Sequence, residues 1–107
     1  MILISKFLVP QGYMGITIFP FIILKHKRLR YDLSFMNHER IHLRQQLELF
    51  VLPFYAIYFL EFLVGLIRYK HWELAYRSIA FEREAYKNEK NLDYLKSRPF
   101  FGFLKSN

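Results

Sequence analysis

Met36-Asn37-His38-Glu39-Arg40-Ile41-His42 is the stretch from which the rest of the chain can be read. On a helix, positions 38 and 42 lie one turn apart on one face, so both imidazoles can reach a single ion while Glu39 projects beside it. Zinc suits two neutral imidazoles plus one carboxylate, with the fourth position left to a water whose pKa falls to about 7. Glu39 is then placed to take that water's proton. The same residues can also be read as a polar helix start whose histidines meet solvent or a backbone carbonyl. The flanking sequence has to separate the two.

Asp32 or Ser34 can cap this helix, which is expected to start just before Met36. Met36, Leu43, Leu47, Phe50 and Phe54 recur at three- and four-residue spacing and predict its buried face. His38, His42 and Gln45 fall on a different face, so ligands and core do not compete. Gln45 and Gln46 are within reach of a ligand histidine as hydrogen-bond partners, although helical glutamines are as readily solvent-exposed.

Downstream, the run Leu47 to Ile67 is long and apolar enough to span a bilayer, and Arg68, Lys70, His71 and Trp72 follow as interfacial anchors would. Glu48, Pro53 and Glu61 argue against a simple span, because a charge deep in hydrocarbon costs several kcal/mol unless paired. Two readings stay open: a kinked embedded segment, or a very apolar helix lying against a membrane or a partner subunit. Membrane association in some form is expected over a fully soluble monomer, since so continuous an apolar surface would otherwise be exposed.

Residues 72–98 form a second helical region, with Leu74, Ala75, Ile79, Phe81, Ala85 and Tyr86 as its apolar stripe and a break at Asn88 to Asn91. Leu92 to Lys96 adds a last turn or two before Pro99, and Phe100, Phe101, Phe103 and Leu104 are expected to pack back onto the domain. Upstream of the motif, Ile2 to Val9 and Gly15 to Leu24 are β-rich, with a turn at Pro10 to Gly12. Pro20 makes the second run an edge or interrupted strand. Such a strand can hold an extended peptide as an added strand, or merely cover the core. The basic run Lys25 to Arg30 reads as a solvated loop or as contact with an anionic membrane surface. His26, within it, has no partner at ligand spacing. The apolar start lacks a basic leader and a small-residue cleavage site and reads as mature protein.

These elements define one predominantly helical α+β domain over residues 1–107: short N-terminal strands, the motif helix, a long apolar helical segment and a C-terminal helix. Cysteine is absent, which excludes disulfides and thiolate metal sites and leaves His, Asp and Glu as ligands. Sixteen Lys and Arg against nine Asp and Glu give a net charge of +7, which favours anionic partners. Nucleic acid is a poor candidate among them, because nothing resembles a helix-turn-helix, zinc finger or aromatic RNA-binding strand.

Phe81-Glu82-Arg83-Glu84-Ala85-Tyr86 completes the constellation. His-Glu-x-x-His followed by a later helix bearing Glu-x-x-Ala resembles the gluzincin zinc peptidases. It looks especially like the minimal single-domain members and the membrane metallopeptidases of the heat-shock and prenyl-protein-processing type. The resemblance covers about a dozen positions. It implies His38, His42 and Glu82 as zinc ligands and Glu39 as general base. In those families an Asp follows the Glu-x-x-Ala; here Tyr86 stands in its place and can offer its hydroxyl to a bound oxyanion, a role open also to Tyr76 or Arg77. Glu84, on a different helical face, is the rival third ligand.

Two functions compete. One is a zinc metallopeptidase acting on peptide or protein substrates at a membrane surface or bilayer, with a bacterial inner membrane and a cytoplasmic-facing site as the expected location. The other is a non-catalytic basic membrane adaptor or assembly protein whose motif binds metal structurally or not at all. The intact Glu39 favours the first, because a structural site needs no base. The short chain, with little room for a substrate-binding subdomain, favours the second.

Overall fold

A computed structural model describes residues 1–105. Three short strands, β1 (Ile2–Ile4), β2 (Gly15–Ile18) and β3 (Phe21–Leu24), are followed by a 3-10 turn at Lys27–Tyr31 and five helices. The helices are α1 (Leu33–Leu49), α2 (Val51–Tyr69), α3 (Trp72–Ser78), α4 (Ala80–Asn88) and α5 (Tyr94–Ser97), and a 3-10 turn at Gly102–Lys105 closes the described chain. The fold is α+β and predominantly helical, as expected.

The sheet order is β1-β3-β2, with β1 parallel and β2 antiparallel to β3. The run Gly15 to Leu24 is therefore a hairpin rather than one interrupted strand. Proline has no N–H to give a ladder, and Pro20 falls in the turn between Ile18 and Phe21. The β1 end of the first run is also shorter than Ile2 to Val9, because Ser5 Oγ accepts from the amides of Phe7 and Leu8 and turns the chain. β3 is central and contributes Ile22, Ile23 and Leu24 to the core, which explains its unbroken apolar sequence. Leu29 anchors the basic run into the same core while Lys27, Arg28 and Arg30 stay exposed.

Asp32 caps α1, its carboxylate accepting from the Phe35 amide at 3.0 Å. Met36 and Ile41 are buried, but Leu47 and Phe50 of the expected core face are exposed. The reason is the backbone at Phe50, where φ of 67° ends α1 and starts a new helix direction, so the periodicity does not carry through. Phe54 belongs to α2 and packs with Phe81, Ile79 and Phe103. Pro53 sits in the first turn of α2, where its missing N–H costs nothing.

α3 folds back on α2 at close range. A Cβ at Gly65 would lie 2.9 Å from Ala75 Cα, so only glycine permits this approach. The expected single helix from Trp72 is two, because Ile79 adopts an extended conformation, and Leu74 is exposed rather than part of the buried stripe. Phe101 and Phe103 pack back as expected, whereas Phe100 and Leu104 face outward.

Under the helices lies a buried charge cluster. Arg98 bonds Glu48 through two nitrogens at 2.8 and 3.0 Å, and Glu84 through Nε and Nη2. Tyr94 adds a 2.6 Å hydrogen bond to Glu84, and the Phe101 amide one of 2.9 Å to Glu48. Burial alone would raise the Glu84 pKa, but Arg98, Tyr94 and Gln45 together hold its carboxyl below the usual range.

Candidate metal centre

α1 and α4 bring the motif and the second-helix carboxylate together. Glu82 Oε1 lies 3.1 Å from His38 Nε2 and 3.0 Å from His42 Nε2. One ligand atom from each of the three residues falls within 4.8 Å of the others, and all three side chains are buried. The group can hold a metal ion. Glu84, the rival ligand, is turned away to Arg98 and Gln45.

The hydrogen bonds around the group test whether a cation fits there. Gln45 Nε2 donates to the Phe81 carbonyl at 3.1 Å and to Glu84 Oε1 at 2.9 Å, so its Oε1 must be the atom facing His42 Nδ1 at 2.8 Å. An amide oxygen only accepts, hence His42 Nδ1 carries the hydrogen. His38 Nδ1 faces a Glu89 carboxylate oxygen at 2.9 Å and must carry one too. Both rings therefore present Nε2 to Glu82, and a neutral imidazole has only a lone pair to show there. Lone pairs aimed at an anionic oxygen from about 3 Å repel unless a cation sits among them.

A proton or a metal ion can be that cation. Burial disfavours charge on His42, yet the Glu82 carboxylate beside it outweighs burial and pushes its pKa up to about 9. Burial likewise works against the Glu82 carboxylate, and His42 and His38 overcome it and hold the group well below the usual range. A proton on His42 satisfies one imidazole. A divalent cation satisfies both while leaving them neutral, which is the form in which histidine binds metal.

Glu39 stands beside this group without belonging to it. Thr17 Oγ1 on β2 lies 3.2 Å from Glu39 Oε2 and equally 3.2 Å from the Glu39 carbonyl. Burial pushes the Glu39 carboxyl above the usual carboxylate range, and the nearby histidines only partly offset this. A buried carboxylate whose proton affinity is raised in this way is suited to act as a proton acceptor.

Three further residues hold the centre in place. Asn37 Nδ2 lies 3.2, 2.9 and 2.9 Å from the carbonyls of residues 88, 89 and 91, closing the end of α4 and setting Glu89 against His38. Tyr58, on α2, donates to Glu82 Oε2 at 2.6 Å. Tyr86 places its ring edge-on against His38 at 4.5 Å, its hydroxyl 3.1 Å from that of Tyr76, with the Arg77 guanidinium 3.7 Å over its face. Tyr86 thus lies beside the centre, and the hydroxyl on Glu82 is that of Tyr58.

Neither Tyr58 nor Glu89 was legible as a partner of the motif, since one lies inside an apolar run and the other in an expected helix break. Gln45 carried a signal, being one turn from His42 on its face. Trp72, expected as an interfacial anchor, stacks on Tyr13 with ring centroids 6.3 Å apart and lines a cleft of about 430 Å³ on the side of His38 and Glu39. A second cleft, about 320 Å³ on the side of His42 and Glu82, runs between β2 and the flank of α2 at Tyr55 and Phe59.

No protein-family model, no curated protein and no solved structure matches the chain.

Proposed function

We propose that the protein is a membrane-associated zinc metallopeptidase of the gluzincin type. The observation that supports this most is the convergence of two Nε2 lone pairs and one carboxylate, with a further buried carboxylate, Glu39, adjacent but outside the group. Three protein ligands leave a coordination position open, as catalytic sites require and closed structural sites do not. A bound zinc ion supplies a water acidified to a pKa of about 7 and a positive charge that polarises the peptide carbonyl.

The chain's own residues supply the rest. Glu39 accepts the proton of the attacking water and later gives it to the departing amine. Gln45 and Glu89 fix the tautomers of His42 and His38 through their Nδ1 hydrogens. The paired hydroxyls of Tyr76 and Tyr86 lie on the His38 side and can steady the tetrahedral oxyanion. β2 is an edge strand whose Thr17 carbonyl already accepts from Gln46 and Tyr55, at 2.7 and 2.6 Å. Its Gly15 end is the part left for an extended peptide to pair with. The length and apolar character of α2 support a membrane location, here taken to be a bacterial inner membrane with the site on the cytoplasmic side.

The test is hydrolysis of casein and other unfolded polypeptides by the purified protein. Activity should vanish when a chelator strips the metal and return on adding zinc. Full zinc occupancy with no cleavage of any such substrate would leave a structural metal site in a non-catalytic adaptor.

A further inference from the structure

α2 is long and apolar enough to cross a membrane, but its partners argue for a different placement. Its inner side is committed at three heights. Tyr58 bonds Glu82 at 2.6 Å, the Glu61 carboxylate accepts from the Ala80 amide at 3.0 Å, and Gly65 abuts Ala75. α3 and the start of α4 therefore travel with the middle and second half of α2. They carry exposed Glu73 and Arg77, and each charge at bilayer depth would cost several kcal/mol.

The outer side of α2 is the opposite in character. Leu52, Ala56, Leu60, Leu63 and Ile67 follow one another at helical spacing and are all exposed, Leu52 at 83% and Ile67 at 78%. No charged side chain interrupts this stripe before Arg68 and Lys70 at its end. A chain of net charge +7 repels a second copy of itself but is drawn to anionic lipid, so charge complementarity selects a membrane as the covering surface.

We propose that α2 lies flat in the surface of an anionic bilayer, with the Leu52–Ile67 stripe immersed at the headgroup and acyl boundary and α3 and α4 held on the aqueous side. This deepens the membrane-associated reading given above and rests on it. Phe59, beside Leu60 on the helix, also forms part of the cleft wall, so the metal centre's cleft opens next to the lipid surface.

The absence of cysteine makes the test direct, because each introduced cysteine can carry the only spin label. Zinc-loaded protein is mixed with vesicles of equal parts phosphatidylcholine and phosphatidylglycerol, and flotation measures binding. Label depth is then read at Leu52→Cys, Leu60→Cys and Ile67→Cys. The protein should float with these vesicles, and Leu60→Asp with Leu63→Asp should weaken binding about tenfold or more at unchanged zinc content. The three labels should sit at one depth within about 5 Å, a shallow interfacial placement. A spanning helix would instead put Leu60 about 12 Å deeper than Leu52, eight residues at 1.5 Å each, and would overturn the flat placement while leaving membrane association intact. Failure to float, with the protein dimeric or held by another protein through the stripe, would overturn both. Zinc content and hydrolysis are read separately, so neither outcome is confused with failure of the peptidase reading.

Discussion

Glu39→Gln is expected to keep its metal and lose a factor of about 10² to 10⁴ in turnover, the usual worth of a positioned acid or base. The amide is nearly isosteric with the carboxylate, and its oxygen can still accept from Thr17 Oγ1, which lies 3.2 Å from Glu39 Oε2. The three candidate ligands are untouched, because Glu39 makes no hydrogen bond to His38, His42 or Glu82. What disappears is proton affinity. Burial sets that affinity above the ordinary carboxylate value, and no amide can supply it. The measurement is turnover on an unfolded substrate beside zinc content for the same preparation. Turnover unchanged in Glu39→Gln would remove the catalytic assignment.

Arg98→Met is expected to destabilise the fold by about 3–5 kcal/mol, the cost of removing one partner from a buried ion pair. Its guanidinium stands between two carboxylates whose side chains are 3% and 0% exposed, those of Glu48 and Glu84. Methionine fills similar volume but leaves both without their cation. Against a total stability of about 5–15 kcal/mol, such a loss is large. Denaturant melts of the native protein and the variant would measure it.

The pH dependence has a definite sign. In the native protein the Glu84 pKa lies below its unfolded value, so its contribution is fully present above about pH 4.3 and fades as the pH falls through the lower, folded value. Without Arg98, burial is opposed only by the Tyr94 and Gln45 hydrogen bonds, so the Glu84 pKa should rise from its native value. The deficit of Arg98→Met should therefore shrink between pH 7 and pH 4. A loss below about 1 kcal/mol, the range of surface pairs, would mean that water reaches these carboxylates. Glu84 also receives the Gln45 amide whose oxygen faces His42, so the variant should bind metal less tightly.

Where local chemistry decides, the sequence was readable. His38, Glu39 and His42 sit on one helix and share a face by helical geometry alone. Glu82 was suggested only by the resemblance of its Glu-x-x-Ala to the gluzincin pattern, with Glu84 as the rival, and the structure brings Glu82 within 3.1 Å of both histidines while sending Glu84 elsewhere. The helical α+β class followed from the change of period after Leu24.

Long-range pairing was less readable. Nothing local ties Arg98 to Glu48 across fifty positions, or Tyr58 to Glu82. The apolar run Leu47 to Ile67 concealed both the break at Phe50 and the site-facing Tyr58, because hydropathy averages over faces that the tertiary fold treats differently. The break at Ile79 carries no glycine or proline and arises from how α3 and α4 pack, with the Glu61 carboxylate meeting the Ala80 amide.

Everything functional here depends on a metal at His38, His42 and Glu82, and metal analysis of the purified protein beside single-residue variants tests that most directly. The account predicts about one zinc per chain, retained in Glu84→Ala as far as that variant folds and lost in Glu82→Ala and His38→Ala. Native protein that binds no zinc after exposure to it, or Glu82→Ala that keeps its full complement, would contradict it.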